Sequence, residues 1–337
     1  MIRKNNTLIY GVIGLAVLII AVIGIGFYGG NTGTPEMEKV TVMMPYVESS
    51  LWMPFYCAID QGYYADEGLD VEMTYSPKGS MGPIEQVSAN NIQLGYASGC
   101  SIITAKSKGL PIVAVYQIEH TNQFSILTKK DSGITKPKDL VGKSIAVAGI
   151  GSPPHLSAKA ILFKSGVDVD SVTFVPVGAG SIPVLLENKT DAIGASIIQE
   201  NILNSMNVET NIMYAKDYNA NLASNAIITN EITLKNNPEL IKKFVRATNK
   251  GLRYAIDNPE KVIDIYIKFN PDAAKNRDFS SVSWTQVAKE SIQPDKYPLG
   301  SFNKKQWEGT QDVLYEMKII NKKTPISEMY TDEFVPK

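Results

Sequence analysis

Apolar and polar positions change period in a regular way along this chain. Lys39–Met44 (KVTVMM) is a short β-rich run and predicts a strand. Phe55, Ala58 and Ile59 recur at helical spacing and predict a helix stopped by Gly62. Leu69, Val71 and Met73 then alternate with acids, as along a half-buried strand. Strand, helix, strand is the signature of a parallel α/β sheet. The alternation continues, with a helix from Pro83 to about Asn90, a strand over 92–96, a helix over 101–108 closed by Gly109-Leu110-Pro111, and a buried strand over 112–116. Further strands are expected over 124–128, 144–148, 172–177, 193–197 and 225–229, and further helices over 156–166 and 182–188. From Pro238 an amphipathic helix carries Leu240, Ile241, Phe244, Val245 and Thr248 on one face, and helical segments follow over 262–269 and around Trp307–Met317.

The N-terminus breaks this pattern. Leu8–Tyr28 is apolar without one charge and follows Arg3 and Lys4. It is long enough to cross a bilayer of about 30 Å and longer than the usual apolar run of a cleaved leader, so residues 1–28 read as a membrane anchor or signal segment. The leading positive charge places everything after the run outside the membrane. A Gly/Thr/Pro/Glu tether, residues 29–38, follows. With 337 residues the chain holds about two domains. Its 33 basic and 34 acidic residues leave no charge excess to point to nucleic acid. Cys57 and Cys100 read as packed small hydrophobes.

Candidate chemistry is sparse. His120 and His155 stand alone, no HExxH, GxSxG or Walker pattern occurs, and no GxGxxG follows a strand with an acid about 20 residues on, so no metal, cofactor or catalytic group is expected and a binding module fits better than an enzyme. Ligands of open α/β sheets bind at loops leaving the carboxyl ends of strands. Here those loops hold Tyr46, Trp52, Ser80, Ser98, Ser101, Gln117, His120, Ser152, His155, Gln199 and Glu200, with Lys78 their one Lys and no Arg. An anion usually calls for Arg or Lys beside helix N-termini. Two aromatics and an acid instead suit stacking on a ring and hydrogen bonding to an amino group.

Three phrases carry a family resemblance: GYYADEGLDVE from Gly62, ASGCSIITAKSKGLPIVAV from Ala97, and FVRATNKGLRYAIDNPE from Phe244. They resemble the solute-binding proteins of ABC importers that capture nitrate, sulfonates, taurine or the pyrimidine precursor of thiamine, over about 39–334. The resemblance implies a two-lobed type II periplasmic-binding-protein fold, α/β, with two crossing strands near 124–128 and 225–229. Lobe 1 would take residues 39–127 and 225–337, and lobe 2 residues 128–224. It implies a monomer, anchored by its N-terminal helix outside the cell membrane, that closes on a small molecule and docks on an ABC permease with its ATPase. The favoured ligand is a thiamine pyrimidine precursor or similar nitrogen heterocycle; a nitrate, sulfonate or taurine binder and a ligand-sensing domain are the alternatives. A related enzyme branch makes the thiamine pyrimidine, but with a Cys-rich motif that this chain lacks.

Overall fold

A computed structural model describes residues 36–336. The expected anchor and most of the tether lie outside the described residues. Among the described residues no helix is long and apolar enough to cross a membrane.

In chain order the strands are β1 (Glu38–Pro45), β2 (Leu69–Ser76), β3 (Leu94–Ser98), β4 (Ile112–Gln117), β5 (Ser125–Lys129), β6 (Ser144–Val147), β7 (Thr173–Pro176), β8 (Ala192–Ala195), β9 (Thr210–Tyr214) and β10 (Asn225–Asn230). They form two five-stranded sheets of matching topology, β2-β1-β3-β10-β4 and β7-β6-β8-β5-β9. In each, one strand borrowed from the far side of the chain runs antiparallel to its neighbours: β10 between β3 and β4, and β5 between β8 and β9. The architecture is a two-sheet α/β fold of the periplasmic-binding-protein kind.

Burial explains the sequence pattern. Every residue of β3, β4 and β10 is buried, which is why they read as apolar runs without alternation. Over the first sheet the helix Met53–Asp60 crosses the long helix Pro238–Asp257 at Gly251, where a Cβ would come within 2.2 Å of the Pro54 carbonyl oxygen. Any side chain at 251 would force these helices apart. Tyr64, from the GYY phrase, is buried on the same long helix and its hydroxyl meets Thr248 Oγ1 at 2.7 Å.

The crossings fall elsewhere than expected. Residues 124–128 and 225–229 lie almost wholly in β5 and β10, full members of opposite sheets. The chain passes between sheets at 118–124 and 215–224, where no strand forms. The two passages are tied to each other, the Asn122 N–H donating to Asn221 Oδ1 at 2.8 Å. Likewise the helix expected over 101–108 is Gly99–Ser107, with Ser98 rather than Ser101 at its N-cap position.

Candidate functional site

The two sheets turn the carboxyl ends of their parallel strands toward the passages, and the candidate residues divide by which end they occupy. After β1, Tyr46 has a left-handed backbone (φ 65°), which costs an aromatic residue strain and is found mostly where surrounding structure enforces it. Its N–H donates to the Ser76 carbonyl at 2.7 Å. The ring is 38% exposed and rests on Gly79, where a Cβ would come within 2.8 Å of the ring and its hydroxyl. Burial, and then the nearby Cys100, hold the phenol above its ordinary value. Beside it lies a hydroxyl cluster. Ser80 Oγ accepts from the Ser98 N–H at 3.1 Å, and Ser98 Oγ donates to Ser101 Oγ at 2.9 Å. Ser80, Ser98 and Ser101 are all buried. Tyr46 adjoins this cluster through Gly79, the residue before Ser80.

Trp52 does not join it. The indole is buried, edge-on to Tyr96 at 5.5 Å, and donates from Nε1 to the Val47 carbonyl at 2.9 Å. It braces the Tyr46 loop from beneath instead of stacking on a ligand.

Gln117 and His120 are also spoken for. Gln117 Oε1 accepts from Trp307 Nε1 at 2.9 Å, while its Nε2 donates to the Glu119 carbonyl at 2.8 Å. His120 sets both ring nitrogens 3.0 Å from main-chain carbonyls, those of Ile292 and Ser301, and stacks on Tyr297. Burial lowers its pKa and the two carbonyls oppose that. Both residues seat the C-terminal segment on β4, so neither serves a cleft. Among the described residues, Lys159 lies close enough to His155 to add to the lowering that burial gives its pKa. Lys78 pairs with Glu85 at the surface. Arg246 and Arg277 bind Glu67 and Asp264, and Arg253 shares the long helix Pro238–Asp257 with Arg246.

On the second sheet, the loop after β6 leads into the helix Pro153–Lys164. Pro153 and Pro154 take the first two helical positions, so that helix end lacks two N–H groups an anion would use. His155 is buried, and its Nδ1 accepts from the Gly151 N–H at 2.9 Å, so a neutral ring carries its proton on Nε2. Burial pulls its pKa down to about 4. Gln199 is a capping residue: its Oε1 accepts from the Ser196 N–H at 2.9 Å and the Ser196 hydroxyl at 2.7 Å. Glu200 is buried, accepts from the Tyr214 hydroxyl at 2.8 Å and has its pKa raised by burial. Its helix, Ile197–Ser205, meets the first-sheet side directly: Asn201 Nδ2 donates to Ser283 Oγ at 3.1 Å, and Lys216 pairs with Glu290 at 2.9 Å.

One residue that ties the passages together was not legible in the sequence. Glu119 is 1% exposed, and its carboxylate accepts from Tyr96 Oη (3.1 Å), Gln123 Nε2 (2.9 Å), Ser224 Oγ (3.0 Å) and Asn225 Nδ2 (2.8 Å). Four donors fill its acceptor capacity, and burial still raises its pKa. The donors come from β3, from both passages and from the start of β10. Tyr96 carries the linkage on to Trp52 and so to the Tyr46 loop. Cys57 and Cys100 are free thiols, both buried.

Comparison with known proteins gives a consistent picture. The family model described as NMT1/THI5 like matches residues 50–262. The riboflavin-binding protein RibY of Chloroflexus aurantiacus is 28% identical over 312 residues, covering 90% of this chain and 87% of that protein. A formylaminopyrimidine-binding protein of Halalkalibacterium halodurans is 25% identical, covering 88% and 90%. A 4-amino-5-hydroxymethyl-2-methylpyrimidine phosphate synthase of Legionella pneumophila is 24% identical, covering 89% and 93%. Among solved structures, the alkanesulfonate-binding protein SsuA of Xanthomonas axonopodis superposes with TM-score 0.70 at 13% identity, over 88% of this chain and 99% of that one.

Proposed function

Since the chain belongs to the NMT1/THI5-like family, we propose that it is the extracytoplasmic solute-binding component of an ABC importer. Its ligand is a nitrogen heterocycle of the aminopyrimidine or flavin kind, held between two lobes and delivered to a permease. On this reading one lobe carries β1–β4 and β10 and the other β5–β9, so the second lobe begins at Ser125 rather than at residue 128. The observation that carries the ligand class is the strained, partly exposed Tyr46 ring beside a hydroxyl cluster, on loops that hold no Arg. A flat polar ring stacks there. A sulfonate usually calls for Arg or Lys, whereas the helix Gly99–Ser107 would offer it only main-chain N–H groups and the serine hydroxyls.

Two named relatives, the riboflavin-binding and formylaminopyrimidine-binding proteins, support the heterocycle. The synthase relatives favour a second reading, an enzyme of pyrimidine synthesis. Against it stand the engagement of both His120 nitrogens with the main chain and the burial of both thiols.

A thermal-shift panel of riboflavin, formylaminopyrimidine, taurine, an alkanesulfonate and nitrate tests the proposal. A hundredfold excess over Kd stabilises by about 2.7 kcal/mol. A shift with a heterocycle, lost in Tyr46→Ala, supports the reading; a shift confined to sulfonates or nitrate overturns it.

A further inference from the structure

Buried polar atoms without a hydrogen-bond partner are rare in folded proteins, and besides those of Thr74, Thr190, Ser291 and Gln293, four of them lie around the start of β5. Among the described residues, Gln123 Oε1, Ser125 Oγ, Ser152 Oγ and Glu200 Oε2 are each buried without one. Strand register puts all four on one edge of the second sheet. Ser125 opens β5 and pairs with Ala195 at the end of β8 and Tyr214 at the end of β9. Because β5 is antiparallel to both, its start and their ends share that edge. Ser152 precedes the helix that follows β6, the neighbour of β8. Glu200 lies in the first turn of the helix after β8, and Gln123 stands two residues before β5 in the first passage.

Two of these atoms are fixed by what their partner atoms do. Gln123 Nε2 donates to the saturated Glu119 carboxylate, which sets the amide so that only its oxygen is left over. Glu200 Oε1 takes the Tyr214 hydroxyl, leaving Oε2 without a well-formed hydrogen bond, with Gln286 a donor and Lys216 a cation beside the carboxylate. An amide oxygen and a carboxylate oxygen are acceptors, and each serine hydroxyl can accept as well.

We propose that Gln123, Ser125, Ser152 and Glu200 form an acceptor row by which the second lobe recognises the N–H and O–H donors of an uncharged or cationic ligand. This rests on the heterocycle reading and sharpens it. The ligand stacks on Tyr46 through its ring face and turns its donor edge, amino, imide or hydroxyl, to the second lobe. A sulfonate or nitrate has only acceptor oxygens and would meet Gln123 and Glu200 as like with like.

The row has a signature that a purely structural role does not produce. Removing an unmet buried oxygen relieves the unliganded protein, whereas removing a ligand contact weakens binding. The full chain and its Ser125→Ala, Ser152→Ala, Gln123→Met and Glu200→Gln variants are compared by melting temperature without ligand and by Kd for riboflavin and for formylaminopyrimidine. The serine variants are expected to melt no lower than wild type, yet to bind the preferred probe about fivefold more weakly each. Glu200→Gln, which keeps an acceptor for Tyr214, is expected to lose more than either serine. Serine variants with unchanged Kd overturn the row, as does a Kd that worsens only where the melting temperature falls. Wild type that binds neither probe overturns the heterocycle reading itself, and the row with it; wild-type binding with indifferent variants overturns the row alone.

Discussion

The two cleft edges have the same topology and differ in how their strand-end side chains are bonded. On the first, polar side chains satisfy one another: Ser80, Ser98 and Ser101 are linked, and Glu119 beneath them carries four donors. On the second, Gln123, Ser125, Ser152 and Glu200 each keep a buried oxygen unmet. A satisfied buried network is rigid, and an unsatisfied one is costly until something completes it. The first edge thus reads as a preformed platform, with Tyr46 as its stacking surface, and the second as the face that the ligand completes.

The largest expected effect falls on the platform. Glu119→Ala strands four buried donors, and chemical denaturation should show a loss of about 3–5 kcal/mol. A loss below about 1 kcal/mol would mean the passages are not held by this carboxylate.

Next is a pH effect on the second edge. Burial keeps folded His155 neutral down to about pH 4, whereas in the unfolded chain it takes a proton near 6.5. Between those values the unfolded chain binds more protons, so the fold loses stability as pH falls through this window, by up to about 3 kcal/mol. Glu119 and Glu200, with raised values, act in the opposite sense, gaining as pH falls. The difference between wild type and His155→Asn isolates the histidine, since an Asn oxygen can still accept from Gly151. Parallel pH–stability curves for the two would remove His155 from the account.

Smaller effects test the coupling between hinge and platform. Trp52→Phe keeps the ring against Tyr96 but drops the bond to Val47, at a cost of about 1 kcal/mol in stability. Its loosened Tyr46 loop should also weaken ligand binding. Gly79→Ala, at φ 58° and under the Tyr46 ring, should cost about 1–2 kcal/mol and displace that ring. If riboflavin or formylaminopyrimidine binds Gly79→Ala as tightly as wild type, the ring position is irrelevant to recognition.

Much of the fold was legible because buried parallel strands leave short apolar runs punctuated by glycine and proline, as at Leu94–Ser98 and Ile112–Gln117. The positions of the candidate residues were legible in outline, since Tyr46, Ser98 and Glu200 do lie at or just after strand ends. The details of the site were not, for a physical reason. A polar residue at a strand end looks the same whether it faces a cleft or a distant segment. Gln117 and His120 are claimed by partners 172 to 190 residues away. Glu119 meets Ser224 and Asn225 across 105 and 106 residues. Ser98 and Ser101, three residues apart, are equally good N-caps, so the helix start was ambiguous by one turn. Trp52 has an amphipathic ring that suits core and cleft alike.

Amide hydrogen exchange with and without the heterocycle that stabilises the protein tests the asymmetry most directly. The account expects ligand to slow exchange in 149–156 and 196–201 on the second edge, with little change around Ser80 and 98–101, which are already bonded. Slowing confined to the first edge, or equal on both, would contradict it.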